Sequence, residues 1–393
     1  MKYNKNRFSF FLTFSLALNV LFFFFLFREN QIRAKFWFLR TLGYLAPKKV
    51  SSFSDDLLVT EYSPKPVLDT TDRRGKKLPS FPVVETHGHL GPFFKTSPQA
   101  ISKAMDEGNV KFFINLSFTT GEEFIKLRQE YRDPRIIHFS TFNWKRLQES
   151  ENFVELMRAD LKKDIENGTK GIKLWKNFGL SLKKPNGERL KLSDPILDPL
   201  FEECRRWGLI VSIHTADPPA LFLPIDKYNE RYEELIRHPE WSFYGEEFPS
   251  FEEVIKEREE LFFRHPDVKF IALHLGELAH SLDQAEKLLQ NHPNVYFDIA
   301  ARIDELGRQP YKSREFFIKW QDRIFFGTDG PVDLGKLEIY SRFLETSDEY
   351  FDYYPPYKPR KGFWKIYGLN LPKEVLEKIY YKNAYKFFKL EGK

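Results

Sequence analysis

From residue 81 to the C-terminus, short apolar runs alternate with longer stretches in which apolar residues recur every three or four positions. Side chains share a face every second residue on a strand and every 3.6 residues on a helix, so the two patterns mark two kinds of element. Strand-length runs rich in Val, Ile, Phe and Tyr lie at 83–87, 111–117, 136–141, 171–175, 209–215, 268–276, 295–300 and 323–330. Helical periodicity fills 98–108, 121–131, 152–167, 194–207, 251–264, 279–291 and 311–321. Near-continuous apolar strands separated by helical crossovers are the pattern of parallel strands buried on both faces. Eight of them predict an α/β fold of the (β/α)8 TIM-barrel type. An open doubly wound sheet is the competing arrangement, but it usually carries a Gly-rich phosphate turn after its first strand, and none is present here.

One interval breaks the spacing. Residues 216–250 insert an aromatic, Pro-rich segment, DPPALFLPIDKY followed by HPEWSFYGEEFPS, between strands five and six. In a barrel this insertion follows the C-terminal end of a strand, where active sites are built. It is expected either to cover the pocket or to extend the packing.

The N-terminus is made of different material. Residues 8–27 read FSFFLTFSLALNVLFFFFLF without a charge, flanked by Lys2, Lys5 and Arg7 before and Arg28 after. Twenty apolar residues span a bilayer core as a helix. A cleaved signal peptide would have a shorter apolar region followed by small residues, whereas Arg28-Glu29-Asn30 follows here. The expected organisation is a transmembrane signal-anchor helix at 8–27, a linker or arm at 28–80 and the barrel at 81–393. Positive residues on both flanks discriminate orientation poorly. A short tail left in the cytoplasm is the simpler topology, so the expected location is the membrane, with the catalytic domain on its extracytoplasmic side. The lipid bilayer is then one partner.

Composition narrows the rest. With 61 Lys and Arg against 56 Asp and Glu, the net charge of +5 is mild, and no dense basic block is interleaved with aromatics. Nucleic-acid binding is therefore not indicated. The single cysteine, Cys204, excludes an intrachain disulfide and any CxxC motif. A homodimer is left open.

The chemistry starts at strand one. It ends Glu85-Thr86-His87-Gly88-His89, and the i, i+2 spacing aims His87 and His89 at one place. His238, His265 and His292 each precede a proline and read as helix ends, and His138 reads as a satisfied wall residue inside strand three. His214 ends strand five, His274 ends strand six with His280 in the loop beyond, and Asp329 ends strand eight. Strand parity puts Ser212, Ala272 and Gly327 one layer below, small residues that make room for a site. His87, His89, His214 and Asp329 then form an N3O ligand set with an open position for water. Zinc suits it best, and Mn2+ or Fe2+ is allowed. Such a metal lowers the pKa of water and polarises a substrate oxygen. Asp329 serves as ligand and proton acceptor, and His274 as a second proton carrier beside the metal.

Two cations are candidates for substrate binding. Lys173 on strand four points inward, either as an ion pair with Glu85 or Asp329 or in contact with substrate. Arg302, after strand seven, could hold a carboxylate bidentately or pair with Asp304 or Glu305. Together they point to a small anionic substrate.

These residues resemble the metal-dependent barrels of the amidohydrolase superfamily: HxH on strand one, single histidines on strands five and six, Asp on strand eight. More narrowly, the chain is similar to the amidohydrolase-related group that includes aminocarboxymuconate-semialdehyde decarboxylase. The likeness runs from about residue 81 to the end, including Leu371-Pro372-Lys373-Glu374 and Lys382-Asn383-Ala384, which are similar to the helix closing such domains. The group usually has Asp two residues before the HxH, where this chain has Glu85. The resemblance implies hydrolysis of an amide, ester or lactone with a metal-activated water; the alternative is a metal-dependent decarboxylase on the same barrel. In two-metal relatives the strand-four lysine is carboxylated, whereas the narrower group generally works with one metal.

Overall fold

The computed structural model describes residues 58, 61–62, 64–69, 77–91, 94–355 and 361–390. The expected transmembrane helix at 8–27 and most of the expected linker lie outside these residues. Among the described residues no helix is long and apolar enough to cross a membrane. The chain divides into two units, 1–65 and 66–393, and the second contains the barrel.

Eight parallel strands form that barrel: β1 (Val83–Gly88), β2 (Val110–Leu116), β3 (Ile136–Phe139), β4 (Gly171–Leu174), β5 (Ile210–Ile213), β6 (Phe270–Ala272), β7 (Val295–Asp298) and β8 (Ile324–Phe325). Regular pairing joins β1 to β3 and β4 to β8. Two parallel bridges, Ser140 with Ile172 and Gly88 with Gly330, close the circle. The second seam continues as main-chain bonds from Thr86 N to the Phe326 carbonyl (3.0 Å) and from His89 N to the Gly330 carbonyl (3.1 Å).

The crossovers carry the principal helices: α1 (Pro98–Glu107), α2 (Glu122–Glu130), α3 (Phe153–Glu166), α4 (Asp198–Trp207), α5 (Phe251–Arg264), α6 (Leu282–Asn291), α7 (Pro310–Lys319) and α8 (Leu334–Glu345). Their ends follow local chemistry. Ser97 caps α1 by accepting from Ala100 N, with Pro98 at the first helical position, and Ser250 caps α5 by accepting from Glu253 N. His265 and His292 sit at the C-caps of α5 and α6, the helix-end role that their following prolines suggest. Helix α8 has no counterpart in the sequence pattern. Asp333 starts it by accepting from Lys336 N.

Alternation divides the apolar side chains into two layers. Phe113, Ile172, Val211, Phe270 and Phe297 face the helices. Ile114, Leu116, Phe139, Ile210, Ile271 and Phe325 fill the inside of the barrel. The lower end is plugged by the last helix, α9 (Asn383–Phe388), whose Phe387 ring lies 5.0 Å from that of Phe325 and 4.5 Å from that of Tyr296.

Strand six corrects the sequence reading. It was expected to run to 276 with Phe270 and Ala272 turned inward; instead it ends at Ala272, and both residues belong to the outer layer. Beyond it, His274, Leu275, Gly276 and Glu277 adopt φ of 57, 54, 59 and 61°. This left-handed turn re-aims the chain, so His274 reaches the site although strand parity would have turned it away. For L-residues that conformation costs roughly 1–2 kcal/mol each, so packing elsewhere must hold it.

Candidate metal centre

The site lies at the C-terminal mouth of the barrel. His87 is fully buried, and its Nδ1 lies 2.7 Å from Asp298 Oδ2 at the end of β7. His89 Nδ1 lies 2.9 Å from the Leu116 carbonyl, and its ring is stacked between Phe94 and Phe118. His274 Nδ1 lies 2.8 Å from the Ala300 carbonyl. Each ring thus spends Nδ1 on an acceptor, which leaves Nε2 with its lone pair facing the cleft. This orientation by acceptors outside the coordination sphere is how metal-binding imidazoles are fixed.

Asp329 meets these nitrogens from the loop after β8, with φ of 62°. Its Oδ1 is 3.2 Å from His89 Nε2 and 3.7 Å from His87 Nε2. Below it, Gly327 leaves the needed room, because a Cβ there would stand 2.9 Å from His87 Cβ. Potential ligand atoms of His87, His274 and Asp329 gather within 4.8 Å of one another, and those of His214, His274 and Glu277 form a second such group. His274 belongs to both, with its ring 4.6 Å from His87 and 4.3 Å from His214. It therefore stands between the two groups.

His214 arrives differently from the other histidines. Its Nε2 is directed to the Ala216 carbonyl (2.8 Å) and lies 3.3 Å from Glu277 Oε1, so Nδ1 is the ring nitrogen left for a ligand. Glu277 Oε1 is buried without a hydrogen-bond partner among the described residues. His280, grouped with the site histidines by sequence, is exposed and meets Phe251 edge-on, in neither cluster. His138 is satisfied by Asn115 and the Tyr131 carbonyl, as a wall residue should be.

Burial controls the protonation of the centre. It carries His87 and His274 well below the ordinary imidazole range and brings His214 down to about 4. Neutral imidazoles are the form that ligates. For Asp329 the cost of burial is outweighed by the His89 ring against it and the adjacent His87 and His274 rings, and its carboxyl lies well below the usual range. Burial pushes Asp298 up to about 7 and Glu277 up to about 8. A set of neutral nitrogens, one ionised carboxylate and an unpartnered buried carboxylate oxygen fits a divalent transition metal.

The two cations have different surroundings. Lys173 is fully buried, with Nζ 3.4 Å from His87 Nε2, and burial lowers its pKa to about 8. It makes no pair with Glu85. That carboxylate instead accepts from His87 N, Thr328 N and Thr328 Oγ1, tying β1 to the loop that carries Asp329. Arg302 pairs with Glu277 (2.5 Å) rather than with Asp304 or Glu305, and also donates to the Ala301 carbonyl. Asp304 and Glu305 belong to Arg231, from the 216–250 insertion.

The insertion forms one wall of a cavity of about 490 Å³ that opens over His214, His274 and Asp329. Leu221, Arg231, Arg237, His238 and Trp241 contribute to that wall, and Tyr340, Tyr353 and Lys361 also line the cavity. The insertion thus shapes the pocket.

A family model described as amidohydrolase matches residues 145–390. The chain belongs to the amidohydrolase family. The matched region holds Lys173, His214, His274, Arg302 and Asp329 and begins after His87 and His89, so the strand-one histidines join the site through barrel closure. Among solved structures, the chain is similar to an uncharacterized TIM-barrel protein from Bordetella bronchiseptica (12% identity over 75% of this chain and 86% of that one, TM-score 0.46). It is also similar to a 2,6-dihydroxybenzoate decarboxylase from Rhizobium (16%, 74% and 88%, TM-score 0.43). A third is a probable 2-pyrone-4,6-dicarboxylic acid hydrolase from Acinetobacter baumannii (12%, 79% and 100%, TM-score 0.42). Comparison with curated proteins finds no match.

Two residues of this amidohydrolase's centre escaped the sequence reading. Asp298 is the one charge in the run Val295-Tyr296-Phe297-Asp298-Ile299-Ala300, and its parity with the inward Tyr296 could have marked it. Glu277 carried no such signal, since it reaches the site only through the left-handed turn.

Proposed function

We propose that this amidohydrolase hydrolyses an amide, ester or lactone bond in a small anionic substrate. The reading places one divalent transition metal, Zn2+ before Mn2+ or Fe2+, on His87, His89, His214 and Asp329, with His274 at the same centre. The observation that carries it is the set of Nε2 atoms of His87, His89 and His274 left facing the cleft while each Nδ1 is held by an acceptor. A metal bound there supplies polarisation of a substrate oxygen and acidification of water.

The chain's own groups supply the proton handling. Asp329, ionised and 35% exposed to the cavity, accepts the proton of the attacking water. Glu277, oriented by Arg302, adds a buried carboxylate on the His214 side of the centre. Lys173 holds positive charge beneath His87. Six Lys or Arg side chains and four Asp or Glu face the cavity, a balance that supports an anionic substrate. The uncharged run at 8–27 supports attachment to the membrane, and the barrel is placed on the extracytoplasmic side as the simpler topology, with a short tail left in the cytoplasm. Fractionation and protease protection of the full chain test that placement.

The chemistry is tested by turnover of a panel of amides, lactones and aromatic acids in ¹⁸O-labelled water with added zinc or manganese. Hydrolysis must place the label in the product. Unlabelled organic product with evolved carbon dioxide would reject hydrolysis and establish the decarboxylase alternative.

A further inference from the structure

Helix α5 carries an arginine that the site description leaves unused. Arg258 has no solvent exposure. Its NH1 donates to the main-chain carbonyl of Gly276, while Nε and NH2 have no partner among the described residues. No carboxylate among those residues lies within ion-pair distance; Glu259 and Glu277 attract the guanidinium only from farther off, and its carbon stands 5.7 Å from the centre of the Phe262 ring. A buried cation with no carboxylate in hydrogen-bonding contact is costly, and burial lowers its pKa to about 10 despite the attraction of Glu259 and Glu277. Packing alone would be served better by an apolar side chain of the same length.

What Arg258 touches gives the reason. Gly276 sits inside the left-handed turn His274–Glu277, three of whose residues are not glycine. Other parts of the turn are tied elsewhere: His274 N donates to Asp298 Oδ1 at 2.6 Å, Glu277 N to the His274 carbonyl at 3.0 Å and Leu278 N to the Leu275 carbonyl at 3.1 Å. The His274 and Glu277 side chains meet the Ala300 carbonyl and Arg302; the Gly276 carbonyl is the one Arg258 takes. The contact is close as well as charged. A Cβ on residue 276 would stand 2.8 Å from the Phe297 ring and 3.3 Å from Arg258 NH1.

We propose that Arg258 is a positioning residue whose guanidinium holds the left-handed turn that aims His274 and Glu277 into the site. The functional half of this inference rests on the metal-centre reading; the structural half does not. Three full-length variants test it: Arg258→Met, Arg258→Lys and Gly276→Ala. Each is read by thermal unfolding, amide hydrogen exchange of peptides covering 273–278, metal content and steady-state kinetics.

In Arg258→Met the melting temperature should hold or rise, because an unpaired buried cation has been replaced by an apolar chain. Exchange at 273–278 should quicken about tenfold or more, as expected for losing a charge-assisted hydrogen bond. The rate kcat should fall by a similar factor with KM little changed. Arg258→Lys retains an N–H donor and should recover most of the protection. A lowered melting temperature with unchanged exchange at 273–278 would make Arg258 a core residue only and overturn the proposal. If Arg258→Met fails to fold, Gly276→Ala decides: faster exchange confined to 273–278 supports the proposal, and unchanged exchange overturns it. A wild-type chain without transition metal would sink the metal reading while the exchange arm still decides the turn.

Discussion

The two ends of the barrel are made from the same eight strands and differ in almost every physical respect. At the N-terminal end, Tyr385, Phe387 and Phe388 of α9 meet Phe112, Phe139, Tyr296 and Phe325 in a ring-on-ring plug. At the C-terminal end, His274, Leu275, Glu277, Ala301 and Asp329 all have positive φ, and buried histidines and carboxylates crowd together. The apolar end gains from burial, ~1.5–3 kcal/mol for each fully buried large side chain. The polar end spends part of that stability on desolvated charges and unusual backbone, which is where strain collects when a site must be preorganised. The stability of one end underwrites the chemistry of the other.

The sharpest way to separate the two ends is Asp329→Asn. If Asp329 accepts the water's proton, turnover should fall by ~10²–10⁴, while the melting temperature barely moves because the side chain is partly open to solvent. Retained activity, or collapse of the fold, would erase the distinction between the ends. The converse test is Phe387→Ala. Removing a ring packed against Tyr296 and Phe325 should cost ~3–5 kcal/mol in denaturant unfolding and leave kcat per folded molecule unchanged. A loss of kcat in the folded fraction would show that the plug transmits to the mouth.

The smallest effect concerns charge at the lower end. Asp133, just before β3, is held down to about 2 from 3.8 by its hydrogen bonds with Arg135. A carboxyl with a depressed folded-state pKa stabilises above its unfolded value and loses that contribution as pH falls through about 2. Asp133→Asn should therefore lower the unfolding free energy in urea at pH 6, by about 1 kcal/mol for a pair still partly open to solvent, and have no effect below pH 2. An equal loss at both values would assign the effect to packing.

Local alternation made much of the barrel legible. Apolar runs of strand length gave the strands, the i, i+2 spacing of His87 and His89 gave one face, and parity gave the inward placement of Lys173, Ser212 and Gly327. These are properties of a single strand, and a single strand's sequence contains them. Proline after His265 and His292 likewise marked two helix ends from the chain alone.

What parity could not carry is any relation that passes through closure of the circle or through a break in the strand. Asp298 becomes the partner of His87 because β7 and β1 flank β8 in the closed circle, although the two residues are 211 apart in sequence. Glu85 ties to Thr328 instead of Lys173 because β1 and the end of β8 are neighbours at the seam. His274 was aimed correctly for the wrong reason: β6 stops at Ala272, and four left-handed residues undo the parity that had been assigned to it. That turn also brings Glu277 to Arg302 and removes Arg302 from its sequence neighbours Asp304 and Glu305. The sequence by itself determined which residues face inward along each regular strand, because that depends only on neighbours in the chain. The tertiary structure decided which of them meet, because distance across a closed barrel depends on all eight strands at once.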